Sequence, residues 1–212
     1  KFLMIKIYKK LVSFRNLVDE RDLMIIRGLA ENGRIPLEKI GERIGISRVA
    51  VTKRLRNMTN RGLLKVGAMI NPNKLDFKVL FISIEVANYE DLRKLVEIYK
   101  NCPRIISLIH AAGGYNLLAL MYAEDERTLM SILSGCSIRT RKEVRRSEVS
   151  VGRFIYPKYL PITLSSGGED EVTPCGLSCD KCERYNAEEC IGCPSTRFYR
   201  PIWFRSRKKE RV

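Results

Sequence analysis

The apolar residues of this chain change period partway along it. Between residues 18 and 62 they recur at helical spacing, whereas from residue 78 short β-branched and aromatic runs alternate with amphipathic helices. One uniform architecture cannot satisfy both patterns. The 212 residues are therefore read as α+β and as a string of small modules. These are a basic, apolar N-terminal extension over 1–17, a helical unit over 18–66, a mixed unit over 67–155, a polar linker over 156–171 and a Cys-rich segment with a basic aromatic tail over 172–212.

The helical unit reads as three short helices. VDERDLMIIRGLAENG takes Asp19 as its N-cap, turns Leu23, Ile26 and Leu29 inward and stops at Gly33. PLEKIGERIG follows with Leu37, Ile40 and Ile44 on one side, and Gly45-Ile46-Ser47 makes a tight turn into SRVAVTKRLRNMTNRG. This is a helix-turn-helix pattern, with LLKVGAMINP (63–72) leaving it as a short strand or wing. The third helix carries Arg48, Lys53, Arg54, Arg56 and Arg61 and no acid. In such a motif the second helix enters the major groove of double-stranded DNA and its N-terminal residues reach base edges. Ser47, Arg48, Val51 and Thr52 are the candidates for the bases, and Lys53, Arg54 and Arg56 for the phosphates, which fix register without reading sequence.

The mixed unit runs strand (KVLFISIEV, 78–86), helix (89–102), strand (104–113), strand (115–123), helix (124–136), strand (143–154). That order, βαββαβ, is a ferredoxin-like sandwich with a hairpin turn at Gly113-Gly114. Residues 18–154 as a whole resemble the Lrp/AsnC family of transcription regulators. The resemblance is carried by LVDERDLMIIRGLAENGR, IGISRVAVTKRLRNMTNRGLLK and AAGGYNLLALMYAED. It implies a sequence-specific DNA-binding half and a regulatory half that dimerises through its sheet. It also implies further assembly and a small-molecule effector, an amino acid, held between subunits. The effector positions it suggests are Gly113, Tyr115 and Asn116 in one loop and Ser137 and Thr140 in another. Asn116 stands where an acid is common, and an amide can hydrogen-bond an ammonium group but not neutralise it.

Five of the seven cysteines lie within CGLSCDKCERYNAEECIGC, spaced C-x3-C-x2-C-x7-C-x2-C. Two C-x2-C turns each present a pair of thiolates to one ion, so the spacing points to a metal module. Zinc on Cys179, Cys182, Cys190 and Cys193, with Cys175 as a further candidate, is the first reading. An iron–sulfur cluster is the alternative. Placed before a basic tail, such a module suggests a response to metal or redox state. Cys102 and Cys136, at helix ends, read as core or surface thiols, and His110 as structural.

Lys and Arg outnumber Asp and Glu by 39 to 24, a formal charge of +15 concentrated in short blocks, which suits a polyanionic partner. A single histidine, no Gly-rich phosphate loop and no acid pair placed for catalysis speak against an enzyme. No apolar run has the ~18–20 residues of a membrane span, and lysines interrupt the apolar start, so a cytoplasmic protein without membrane contact is expected. A second reading fits the basic tails: an accessory factor binding RNA or the ribosome without sequence-specific DNA recognition.

Overall fold

The structure, a computed structural model, describes residues 17–203; most of the N-terminal extension and the tail beyond Trp203 lie outside the described residues. The chain divides into two units, Lys1–Ala68 and Met69–Val212.

The first unit holds α1 (Glu20–Glu31), α2 (Leu37–Ile44) and α3 (Arg48–Asn60). A capping box opens α1: the Asp19 carboxylate accepts the Asp22 N–H at 2.8 Å, and the Asp22 carboxylate accepts the Asp19 N–H at 3.2 Å. Ser47 caps α3 by accepting the Ala50 N–H. Gly41 is where α2 meets the turn into α3, and a Cβ there would lie 2.5 Å from the Ile46 carbonyl oxygen. Ile25, Ile40, Val51 and Met58 form the core. The inward face of α1 is centred on Ile25 and Gly28 rather than on Leu23, which is exposed. Residues 63–72 form no strand: a single bridge, Ile70 to Leu160, is the only ladder contact there, so the expected wing is absent from the described residues.

The second unit is built on a four-stranded antiparallel sheet ordered β2-β3-β1-β4, from β1 (Lys78–Val86), β2 (Ile105–His110), β3 (Leu117–Ala123) and β4 (Val144–Gly152). With α4 (Tyr89–Tyr99) and α5 (Glu126–Ser134) this is the βαββαβ order. Strand alternation sends Leu80, Ile82, Ile84 and Val86 to one face, where they meet Leu92, Leu95, Leu129 and Ile132 of the helices. On the other face Phe81, Ile109 and Val151 remain 41–50% exposed along an apolar groove.

The segment read as a linker does not hang free. Leu160 and Ile162 are buried against Phe77 and Tyr122, whose rings stack at 5.1 Å, and Trp203 lies 5.9 Å from Phe77. They roof one end of the outer sheet face. Beyond them the polar stretch is clamped to the Cys-rich segment: the Arg197 N–H donates to the Asp170 carbonyl, and Gly168 abuts the Ser195 backbone. One short helix, α6 (Glu183–Asn186), follows Cys182. No helix among the described residues is long and apolar enough to cross a membrane.

Candidate nucleic-acid interface and cysteine module

The open side of α3 presents Arg48, Val49, Thr52, Lys53, Arg56 and Asn57 along one groove. Positions 48, 52 and 56, and 49, 53 and 57, repeat every four residues, so they form one continuous helix face. Four of the seven residues expected to touch DNA lie there, and Ser47 caps the helix beside them. Two do not. Val51 is fully buried, because it sits on the side that packs on α1 and α2, and its side chain is core. Arg54 also turns inward, placing its guanidinium 2.6 Å from Asp19 and 2.9 Å from Asp22. These partners hold the Arg54 pKa above its ordinary value, while the Asp22 N–H, and then Arg54, keep the Asp19 carboxyl below its own. Arg54 therefore ties α3 to the capped end of α1. Arg48 has only an exposed contact with Glu38 at 4.0 Å, a pairing too weak to withhold it from a phosphate. Val49 and Asn57 were missed from sequence, although each lies four residues from Lys53 on the helix.

The loops assigned to an effector are occupied with their own bonds. The Asn116 amide accepts the Val86 N–H and donates to the Val86 carbonyl, both at 2.9 Å, where the pairing of β1 with β4 shifts register. Tyr115 donates to Glu148 at 3.3 Å beneath the Arg146 guanidinium, and Gly113 lies at positive φ in the β2–β3 turn. Ser137 is buried and accepts the Arg139 N–H, while Thr140 donates to the carbonyls of Gly135 and Ser137.

In the C-terminal segment Cys179, Cys190 and Cys193 are buried, Cys175 and Cys182 half-buried, and all are free thiols. Burial pushes the Cys179 thiol up and that of Cys193 up to about 11. The Thr196 hydroxyl donates to the Cys193 carbonyl at 3.0 Å, with the Cys179 sulfur 4.0 Å away. Among the described residues no group of three or more His, Cys, Asp or Glu is gathered tightly enough to hold a metal ion. Cys102 and Cys175 pack on the helix-side core of the sheet, and burial raises the thiols of both Cys102 and Cys136.

A buried ion pair holds the module to the sheet. Arg104, just before β2, donates to Glu124 at 2.8 Å and to the Gly192 carbonyl at 2.7 Å, between Cys190 and Cys193. Tyr199 donates to the same Glu124 at 3.0 Å. Arg104 and Glu124 are 3% and 2% exposed, and although burial works against the guanidinium charge, Glu124 more than offsets it. Gly192 sits at φ 83°, and a Cβ there would meet the Phe198 carbonyl oxygen at 2.6 Å. Nothing in the sequence pattern marks Arg104 and Glu124 as partners.

Residues 18–59 match the AsnC-type helix-turn-helix domain. The HTH-type transcriptional regulator LrpA of Pyrococcus abyssi is 30% identical over 119 residues, covering 56% of this chain and 84% of that protein. The fold is shared with AsnC of E. coli, at a TM-score of 0.54 and 20% identity over 70% of this chain and 97% of that one. A transcriptional regulator of Neisseria meningitidis, solved as its L-Met complex, superposes at a TM-score of 0.55 with 18% identity over 66% and 92% of the two chains. With the acid-free helix face, the sheet order and these likenesses together, the chain belongs to the Lrp/AsnC family of DNA-binding helix-turn-helix transcriptional regulators.

Proposed function

We propose that this regulator recognises a defined duplex site with the open face of α3, works as a homodimer or larger assembly, and reports metal or thiol state through its cysteine module. The observation that carries the first part is the single helix face holding Arg48, Lys53 and Arg56 with no acid on the helix. Selection of binding sequences from a random duplex pool, followed by footprinting, tests it. A protected site with two related half-sites is expected; binding without sequence preference would favour the RNA-type accessory reading instead.

Dimerisation is supported by the apolar outer groove of the sheet, about 380 Å³ in volume and lined by Phe81, Ile109, Leu120 and Val151 among others. The metal reading rests on the donor set: two C-x2-C turns, three of the four thiols buried, and none in a disulfide. Zinc suits four thiolates, and holding it requires the sulfurs to close on one point and shed their protons. Metal analysis of protein purified without air decides this. One zinc per chain without visible absorbance is expected; iron, sulfide and a visible band would mean a cluster, and no metal would refute both.

For a small-molecule effector, the L-Met complex of the Neisseria protein is the precedent. The polar groups of Asn116, Ser137 and Thr140 are spent on internal bonds here, so an amino acid at these loops would have to displace them. The cysteine module is the other signal input we propose. Operator affinity of the wild type compared with Cys179→Ser/Cys182→Ser tests this, and equal affinities would count against it.

A further inference from the structure

We infer that α3 reads thymine, through an apolar step made by Val49 and Thr52 that meets the 5-methyl groups in the major groove. The inference rests on the proposal that α3 is the reading helix, and goes beyond it by naming what is read.

Val49 is a large apolar side chain left 77% exposed in the first turn of α3, next to Ser47 and Arg48. The position is unfavourable for a lone protein domain, since a β-branched residue gives up χ1 freedom in a helix and here gains no burial in return. Single exposed apolar residues are common on protein surfaces, so exposure alone decides nothing. Two other observations do. Thr52, one turn further along the same face, donates its hydroxyl proton to the Arg48 carbonyl at 2.9 Å. That bond takes up the one hydroxyl proton, so towards a base edge Thr52 offers its methyl group or an accepting oxygen, but no donor. Val49 and Thr52 are then adjacent at i and i+3, and together they form an apolar step in a face otherwise made of Arg48, Lys53, Arg56 and Asn57.

The cations on either side suit phosphates, which draws the step against the groove floor rather than leaving it in water. Among the four bases only thymine presents an apolar group in the major groove, its 5-methyl, which an apolar side chain contacts where it is long enough to reach it. The first turn of a recognition helix is also where base edges are reached. Covering one methyl is worth a threefold to fivefold change in affinity, roughly the transfer free energy of one buried methylene.

Replacement of single thymines by deoxyuridine in the selected duplex removes the methyl group and leaves the Watson–Crick pairing intact. For the wild-type protein, one or two positions in each half-site should lose about threefold to fivefold in affinity. Val49→Ala should bind the thymine duplex more weakly and lose most of that sensitivity at one of those positions. Alanine is the better helix former, and circular dichroism checks that α3 persists. Wild-type affinity unchanged by deoxyuridine at every position would overturn the inference, as would Val49→Ala retaining the full sensitivity. A wild-type protein selecting no preferred sequence would overturn the underlying reading of α3 itself, a result distinct from either.

Discussion

Arg54 and Arg56 are two residues apart on one helix and have opposite fates. Arg56 stands on the open face and Arg54 reaches back to Asp19 and Asp22. Arg56→Ala should therefore weaken DNA binding across all sequences and lower the slope of log affinity against log salt by about 1, as removal of one phosphate contact does. Arg54→Ala should leave that slope in place and cost folding stability, about 1 kcal/mol for a half-exposed charged pair, read by urea unfolding. The same pair sets an acid limit. The Asp19 carboxyl is lowered in the folded state, by the Asp22 N–H first and by Arg54 second, so its contribution is fully present above the ordinary value of 3.8. It is lost as the pH falls through the lower folded value. Acid unfolding of the helical unit should begin at higher pH in Arg54→Ala than in the wild type. Asn116 gives a further test. An aspartate there would face the Val86 carbonyl that the amide now donates to, so Asn116→Asp should destabilise the sheet unit by about 1–3 kcal/mol in urea.

At the scale of elements, the sheet and the three helices were legible because their apolar periods are strong. β1 declares itself by its β-branched and aromatic run, and α3 by four cations and no acid. What period cannot give is the rotation of a short helix. Val51 and Arg54 went to the inside because the core at Ile25 and Ile40 fixed which side of α3 faced in. The wing was over-read, since alternation in 63–72 had no neighbouring strand to pair with. The linker was misleading for a different reason: its Ser, Gly and acidic residues mimic a free tether, yet Leu160 and Ile162 before them are buried. Least visible was the Arg104–Glu124 pair, whose partners lie twenty residues apart and meet Gly192 and Tyr199 from the far end of the chain. Removing only the guanidinium leaves a buried carboxylate unmatched. Arg104→Met should cost about 3–5 kcal/mol and expose the cysteine module to limited proteolysis, whereas Arg104→Met/Glu124→Gln should recover part of the loss.

Taken as a whole molecule, the chain is a family regulator to which a further segment has been fastened by a buried ion pair and an aromatic roof. Phe77, Tyr122, Leu160, Ile162 and Trp203 close one end of the outer sheet face, while Phe81, Ile109 and Val151 leave the rest open. In a dimer built on that face, Ile109→Lys should raise the dissociation constant at least tenfold by analytical ultracentrifugation, with Phe81→Lys as the second variant. The roof also changes what a subunit can accept opposite it. A second copy laid on this face would find its apolar purchase at Phe81, Ile109 and Val151 and would meet, at the end closed by Leu160, Ile162 and Trp203, a surface already filled.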